Sequence, residues 1–498
     1  MNTKTFFILS VTSLVMLLST SCGGESVAKT QSELPVDEIA VFTSTDRLLQ
    51  KSFEWAKKTA LSYSHDGSDP VGFWYEAALP NREAFCMRDL SHQSVGAQIM
   101  GLSRHNKNMF SRFVENISEG KDWCSYWEIN RYNNPVPADY LNDDEFWYNL
   151  NANFDVMQAC LKMYRWTGDR EYVSGEKFLN FYDRSVTEYA DIWHLSPDRI
   201  MSRKAYVNSP DRFDRSNNFH TCRGLPSYVE NIPGVAVGVD LLASLYAGYG
   251  SYSEITSLNG DAAASESASA KALRYRDIIE NEWWDDENSR YNTMMLPGPD
   301  FKRGEGAPYI LWFGVTQDPE RIKSVLGEIL GDEWNVENIS HFPEIFYRYG
   351  YNKEAYDYLV SLPTMSRSEY PEVSYGFIEG CVCGAMGFQP DYIDKSVSTM
   401  SRILDPDADS QIRNIRVFDG YMTVRHVGNR YTEINNNTSE DLVWKVSFLG
   451  DYSHVEVDGK CYPVNKKSDF NGNIYTTAEI MLPSQSSLSA SAVRNTRS

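Results

Sequence analysis

Apolar residues recur at helical spacing over most of the chain, from about residue 44 to residue 388. Spacings of three and four residues place apolar side chains on one face of a helix, which can then pack on a core. The pattern predicts twelve helices, at approximately 44–63, 89–103, 105–118, 144–167, 170–190, 231–258, 262–282, 306–315, 319–331, 338–349, 352–361 and 373–388. Several links are short, such as Gly168-Asp169, and short links make neighbouring helices antiparallel. The sequence therefore predicts six consecutive helical hairpins.

The periodicity changes near residue 400, where alternating and β-branched segments replace the helical pattern. Turn sequences such as Asp419-Gly420 and Asp458-Gly459 separate these segments. Residues 400–485 are therefore predicted to form a small antiparallel β domain. The Ser-rich end of the chain, residues 486–498, is predicted to be a disordered tail.

The first 22 residues have the composition of an export signal. Lys4 provides a positive start, and the apolar run Phe6–Leu18 has the length of a signal peptide rather than of a membrane span. The small residues before Cys22 make the segment similar to a bacterial lipoprotein signal, which implies lipidation of Cys22. The resemblance implies anchoring to the bacterial outer membrane, in the periplasm or at the cell surface. An ordinary secretory signal with an incidental cysteine is the alternative, and residues 23–42 are predicted to be a flexible tether.

The charge of the chain disfavours nucleic acid as a partner. Asp and Glu total 68 against 47 Lys and Arg, and the resulting net charge of -21 repels phosphate backbones. Seven of the eight cysteines follow Cys22 without zinc-type spacing, so most are interpreted as small buried side chains. No metal or cofactor is predicted.

Three stretches concentrate charged and aromatic residues at predicted helix starts. They are Arg88-Asp89 with Gln93, the segment 224–231 followed by a Val-Asp-Leu helix start at 239–241, and the Glu-Tyr-Pro-Glu stretch 369–372. In this order they resemble the six-hairpin, or (α/α)6, glycosidases, including trehalase-like enzymes and exo-mannosidases. The resemblance implies a mainly α protein with an (α/α)6 toroid over residues 43–395, and a carbohydrate substrate. The acid and base contexts of trehalase itself have no counterpart here, so trehalase activity is not expected.

Glycoside hydrolysis needs one protonated carboxyl for the leaving oxygen and one carboxylate that activates water or attacks carbon. Glu230 follows a polar loop and is predicted to donate the proton, while Glu372 follows Pro371 and is predicted to activate water. Either could instead be an ordinary first-turn acid that favours the helix dipole. Glu305 and Glu369 are the alternatives. The resemblance implies inversion of configuration, and Trp- and Pro-rich loops that would block one end of the groove favour exo action on terminal sugars.

The remaining candidates would bind the sugar. Arg88 beside Asp89 offers a donor and an acceptor together, and Gln93 lies one turn further along the same helix. A buried ion pair and core packing are the structural alternatives for such residues. The predicted substrate-binding residues are Arg88, Asp89, Gln93, Trp147, Tyr148, His220, Arg223, Tyr228, Glu305 and Glu369.

Other functions remain open at this point. A polysaccharide lyase would abstract a proton with His220 or Tyr228 and neutralise a uronate with Arg223. Sugar epimerases of related architecture use histidine pairs, for which His92, His220 and His341 are placed. A glycan-binding surface lipoprotein would present aromatic rings without a carboxyl pair in a pocket. The paired acids favour a hydrolase over these alternatives.

Overall fold

The computed structural model describes residues 39–205, 207, 223–229, 232, 234–298 and 300–494. The α-helices of this part are α1 Arg47–Ser62, α2 Met87–Ile99, α3 Ser103–Glu115, α4 Ala152–Thr167, α5 Glu171–Ser174, α6 Glu176–Arg184, α7 Ala190–Ile192, α8 Val239–Leu258, α9 Ala262–Glu282, α10 Ala307–Trp312, α11 Pro319–Gly331, α12 Val336–Ile339, α13 Phe342–Arg348, α14 Asn352–Ser361 and α15 Pro371–Glu379. Each of the twelve predicted helices overlaps at least one of them, so the placement of the helices is confirmed. The strands Glu145–Phe146 and Val237–Gly238, however, occupy the predicted beginnings of the helices 144–167 and 231–258. The predicted helix 170–190 is divided into α5, α6 and α7, with the π-helical turn Ser185–Tyr189 between the last two.

Burial divides the helices into two kinds. In α15 every residue is buried, and in α2 nearly every residue is, including polar ones. A helix buried on all sides belongs to the interior of a protein, whereas α1, α3 and α11 bury only one face. The buried helices contact one another in the series α15, α2, α4, α8 and α10, while α1 packs on α15 and α9 packs on α8. These contacts bring the N-terminal ends of α2 and α15 together.

Helices α2 and α15 pack closely against each other at Gly96. A Cβ atom on Gly96 would lie 2.3 Å from the carbonyl oxygen of Tyr375. We expect Gly96→Ala to lower the free energy of unfolding by about 2 kcal/mol, because the added methyl group forces two packed backbones apart. Alanine otherwise favours a helix over glycine by up to about 1 kcal/mol. Chemical denaturation of the purified variant measures the change.

Gly250 in α8 provides the matched control. It is exposed, and a Cβ atom there would meet nothing within 4 Å. Gly250→Ala should therefore stabilise the protein by the helix propensity alone, up to about 1 kcal/mol. A stabilising Gly96→Ala would show that α2 and α15 do not pack at this distance.

Two larger sheets lie in the C-terminal part of the chain, and one of them also uses a strand from near the start of the described residues. The seven-stranded sheet has the spatial order Val41–Ser44, Asp409–Val417, Gly420–Val427, Tyr431–Asn436, Ser486–Val493, His454–Val457 and Lys460–Tyr462. The five-stranded sheet has the order Gln389–Asp391, Ser396–Met400, Leu442–Leu449, Ile474–Leu482 and Asn465–Ser468. Buried and less buried residues alternate along Gly420–Val427, as the period of a half-buried strand requires. The predicted change to β structure near residue 400 is found.

Short strands also lie in the connections between helices. They are Ser64–Asp66, Phe73–Tyr75, Ala84–Cys86, Glu128–Asn130, Tyr140–Asn142, Glu145–Phe146, Val237–Gly238, Trp284–Asp285, Arg290–Tyr291, Met294–Leu296 and Asp300–Lys302. The pair Ala84–Cys86 and Glu128–Asn130 leads directly into α2. These pairs give the long connections a defined path.

Three details of the β part differ from the predictions. Residues 486–493, predicted to be disordered, form a strand between Tyr431–Asn436 and His454–Val457, so that prediction is wrong for them. Their small side chains carry little hydrophobic signal, and the neighbouring strands supply the pairing. The strand Val41–Ser44, at the predicted end of the tether, pairs with Asp409–Val417. One pair, Ser396–Met400 with Leu442–Leu449, is parallel, so the β part is not wholly antiparallel.

The described cysteines Cys86, Cys124, Cys160, Cys381, Cys383 and Cys461 are all unpaired. The first four are buried, which agrees with their interpretation as small buried side chains. Within the described ranges, no helix combines the length and apolar character needed to cross a bilayer.

Candidate active site

A cavity of about 400 Å³ opens where several helices begin. Its walls come from the N-terminal turns of α2, α10 and α15, from residues 228, 229 and 232, from the segment 304–306, and from residues 335–341. The lining residues are Arg88, His92, Tyr228, Val229, Ile232, Gly304, Glu305, Gly306, Tyr309, Asn335, Glu337, Asn338, His341 and Glu372. The cavity therefore combines several carboxyl groups with aromatic and amide side chains.

Glu372 is the second residue of α15, after Pro371, which suits the first helical position because its ring presets the backbone. Its side chain is 7% exposed, and its Oε2 atom lies 4.0 Å from Nε2 of His341. Burial raises the pKa of Glu372 well above its usual range, and the carboxyls of Asp89 and Glu337 raise it further, while Arg88 opposes the shift. Glu372 therefore retains a proton at pH values where an exposed glutamate is ionised.

Arg88 is held in the cavity wall by an ion pair and two aromatic rings. Its Nε atom lies 3.3 Å from Oδ1 of Asp89. The guanidinium carbon lies 5.1 Å from the ring centre of Tyr228 and 5.8 Å from that of Trp127. Both separations are within the range of cation–π attraction. The guanidinium group is therefore fixed in position beside the cavity.

Tyr228 is held at two points by buried aspartates. Its hydroxyl donates a hydrogen bond to Asp155, and its backbone N–H donates to Oδ2 of Asp240 at 2.6 Å. Asp240 also accepts a hydrogen bond of 2.9 Å from Ser227, and Asp155 lies 3.2 Å from Nε2 of His92. Burial raises the pKa of Asp155 to about 7 and that of Asp240 to about 6. These contacts fix Tyr228 against α4 and α8.

The two histidines in the cavity wall are uncharged at neutral pH. Burial lowers the pKa of His92 to about 3 and lowers that of His341 well below its ordinary value. Their ring centres are 5.0 Å apart. The imidazoles therefore add polar atoms to the cavity without adding positive charge.

The structure brings four of the predicted site residues together in this cavity, namely Arg88, Tyr228, Glu305 and Glu372. Asp89 is adjacent through its ion pair with Arg88 but is not a lining residue. Gln93 is buried, and its side-chain amide has no hydrogen-bond partner in the described structure. Of the two charged residues in the first turn of α2, Arg88 therefore lines the cavity and Asp89 lies beside it.

Four other predicted residues lie away from the cavity lining. Trp147 and Tyr148 are buried, and the Tyr148 hydroxyl donates a hydrogen bond of 2.5 Å to Asn153. Arg223 is buried and forms an ion pair with Asp122. Glu369 is exposed, three positions before Glu372. The predicted residues Glu230, His220 and Cys22 lie outside the described residues, and their roles stay predictions.

Sequence reasoning missed the wall formed by residues 335–341. Asn335, Glu337, Asn338 and His341 line the cavity, whereas the sequence suggests His341 only for epimerase chemistry. A signal was present, because this polar cluster precedes a helix with Pro343 in its first turn. Helix α15 likewise has a proline, Pro371, in its first turn, next to the lining residue Glu372.

No protein-family model matches the chain, and no curated protein matches its sequence. Among solved structures, an α-L-rhamnosidase from Dictyoglumus thermophilum matches 91% of this chain and 50% of its own, with a TM-score of 0.58 and 11% identity. The GH78 rhamnosidase of Bacillus sp. GL1 matches 80% of this chain and 40% of its own, with a TM-score of 0.55 and 11% identity. A putative kojibiose phosphorylase from the human microbiome matches 89% of this chain and 63% of its own, with a TM-score of 0.54 and 10% identity.

This chain therefore spans between 40% and 63% of the length of these three structures. Identities near 10% establish a shared fold and nothing finer. The chain therefore shares the fold of these rhamnosidase and phosphorylase structures.

Proposed function

We propose that this chain is a glycoside hydrolase with an (α/α)6 toroid, in which α2, α4, α8, α10, α13 and α15 form the inner ring. The observation that carries the proposal is the buried Glu372 carboxyl in a cavity that also holds an exposed carboxylate, Glu305. Two carboxyls in unlike environments are what acid–base cleavage of a glycosidic bond requires. The shared glycosidase fold supports the same function.

Glu372 acts as the general acid in this mechanism. The sequence-based assignment of Glu372 as the base is disfavoured because a raised pKa keeps the carboxyl protonated, which suits donation to the leaving oxygen. Glu305 is exposed at the cavity and accessible to water, so it is the proposed base. The predicted acid Glu230 is kept as a competing candidate and is included in the tests.

The size of the cavity favours action at the end of a glycan. About 400 Å³ lies at the lower end of the range for small-ligand sites, which suits one terminus better than a long internal segment. Inversion requires a water molecule between the two carboxyls, at a separation of about 6.5–9.5 Å. An exposed base beside a buried acid is compatible with that arrangement.

The lyase alternative is weakened by two side chains. Arg223 is buried in an ion pair with Asp122 and does not line the cavity. The pKa of Tyr228 is raised well above its usual value by burial and by Asp155, and its hydroxyl already donates to Asp155. A phenol in this state is a poor base for proton abstraction.

The proposal is tested by reducing-end release from a panel of aryl glycosides and of plant, microbial and host polysaccharides. The assay is run in phosphate-free buffer and repeated with added phosphate. We expect release that does not depend on phosphate and that forms no ultraviolet-absorbing double bond. A requirement for phosphate would indicate a phosphorylase, an absorbing product would indicate a lyase, and binding without release would indicate a glycan-binding protein.

We further propose that lipidated Cys22 anchors the protein to the bacterial outer membrane. The apolar run Phe6–Leu18 and the small residues before Cys22 support this. Cys22→Ala should move the protein from the membrane fraction to the soluble fraction, because multiple acyl chains are needed for stable anchoring. Fractionation of cells that express each form measures the change. An unchanged membrane fraction for Cys22→Ala would contradict the anchor.

A further inference from the structure

Negative side chains outnumber positive ones in the cavity wall. Glu305 and Glu337 line it in addition to the protonated Glu372, whereas among the described lining residues Arg88 alone carries a permanent positive charge. His92 and His341 contribute none, because burial lowers the pKa of both imidazoles. The cavity therefore has an excess of negative charge, in keeping with the acidic chain as a whole.

The positive charge of Arg88 is already balanced by protein groups. Asp89 lies 3.3 Å from its Nε atom, and the rings of Tyr228 and Trp127 lie within 6 Å of the guanidinium carbon. A guanidinium held in this way can still donate to a hydroxyl. It offers much less to an anionic ligand than an arginine without a carboxylate neighbour does.

Helix N-termini normally attract anions, and several begin at this cavity. The two long enough to matter, α2 and α15, carry acids of their own in the first turn, Asp89 and Glu372. An anionic substrate group at either helix end would therefore meet an acidic side chain of the protein. The helix ends therefore do not reverse the negative charge of the cavity.

We infer that the cavity accepts a terminal sugar without an anionic substituent and excludes uronic acids and sulfated sugars by charge. The inference rests on the proposed function, since it assumes that this cavity holds the sugar. A sugar carboxylate near Glu337 would experience repulsion that the partly buried surroundings screen poorly. The exposed surface of Ile232 and the ring of Tyr309 offer apolar contacts for the C–H face of an uncharged sugar.

The test uses aryl glycoside pairs that differ only at C6, with a hydroxymethyl group in one member and a carboxylate in the other. Glucoside and glucuronide form one pair, and galactoside and galacturonide form another. We expect kcat/KM to be at least tenfold higher for the neutral member of any pair that is cleaved. The ratio should fall as salt is added, because salt screens the repulsion.

Binding is measured separately from turnover. Calorimetry with the Glu372→Gln variant compares glucose with glucuronate and galactose with galacturonate. Glutamine resembles the protonated Glu372, so the charge of the cavity is retained. We expect the neutral sugar to bind at least tenfold more tightly.

Glu337→Gln, added to the same background, removes one negative charge from the wall and should reduce that ratio at least threefold. Glu333→Gln is the matched control, because Glu333 is exposed, lies four positions earlier and does not line the cavity. It should leave the ratio unchanged.

Acidic sugars that are cleaved or bound as well as neutral ones would overturn the inference and leave the proposed hydrolase intact. A large ratio that Glu337→Gln does not change would also overturn it, because the cause would then not be charge. If neither member of any pair binds while other glycosides are hydrolysed elsewhere in the panel, the inference fails and the hydrolase stands. If nothing binds and nothing is hydrolysed, both fail.

Discussion

Glu372→Gln is expected to reduce kcat on unactivated glycosides by at least about 100-fold while the protein remains folded. Glutamine keeps the shape of a protonated carboxyl but cannot transfer its proton to the leaving oxygen. Thermal unfolding shows whether the variant is folded, and steady-state kinetics measures the loss. Glu369→Gln is the matched control, because Glu369 lies three positions earlier, is exposed and does not line the cavity. Its kcat should stay close to that of the wild type.

The pH profile provides a second measure of the same role. An acid works in its protonated form, so the wild-type rate should be highest below the pKa of Glu372 and should fall as pH rises through it. Because burial, Asp89 and Glu337 raise that pKa, the fall should come well above the usual range of a glutamate. The residual activity of Glu372→Gln should lack this fall. If Glu372 instead controls a fall toward low pH, it is the base, as the sequence alone predicted.

Leaving-group dependence separates the acid from the base. A variant that lacks the acid loses much less activity on aryl glycosides whose leaving group departs without protonation, whereas a variant that lacks the base loses activity on every substrate. We expect the first pattern for Glu372→Gln and the second for Glu305→Gln. If Glu230→Gln instead shows the smaller loss on aryl glycosides that is expected of the acid, and Glu372→Gln does not, the acid is Glu230.

A chain that ends at Gln485 is expected to lose several kcal/mol of stability. The strand Ser486–Val493 lies inside the seven-stranded sheet, between Tyr431–Asn436 and His454–Val457. Its removal breaks backbone hydrogen bonds that contribute about 1 kcal/mol each and leaves two unpaired strand edges. The buried side chains of Ile434 and Val455, on those two strands, would also lose cover.

Thermal melting and limited proteolysis measure this effect. The control is a chain that ends at Arg494, which retains the whole strand. It should melt within about a degree of the full-length protein, whereas the Gln485 truncation should melt far lower and be cut within the β part. Equal melting of the two truncations would show that the strand contributes nothing to stability.

The helices could be predicted from the sequence because amphipathic periodicity is a local property. It located α1, α3 and α11 from the face that each buries, and it found the change to β structure near residue 400. It did not find the strand Ser486–Val493, whose alternating positions are mostly serine and alanine and therefore carry only a weak hydrophobic signal. That strand is specified by its neighbours in the sheet, which come from other parts of the chain.

The candidate site was likewise predictable from the sequence only in part. Local motifs at helix starts were enough to select Arg88 and Glu372, because a proline or an acid in a first turn is visible in sequence. The sequence did not show which polar residues line the same cavity. Glu337 reaches it from a separate connection, while Trp147 and Arg223, in equally suggestive segments, are buried elsewhere.

The sequence by itself determined which segments are helical, where β structure begins and that acids stand at the helix starts, because each of these depends on near neighbours in the chain. Only the tertiary structure decided that Glu372 is buried beside Asp89 and Glu337. The proton affinity of a carboxyl depends on its desolvation and on nearby charges, and both are supplied here by residues distant in sequence. The proposed chemical role of Glu372 therefore follows from the fold rather than from its motif.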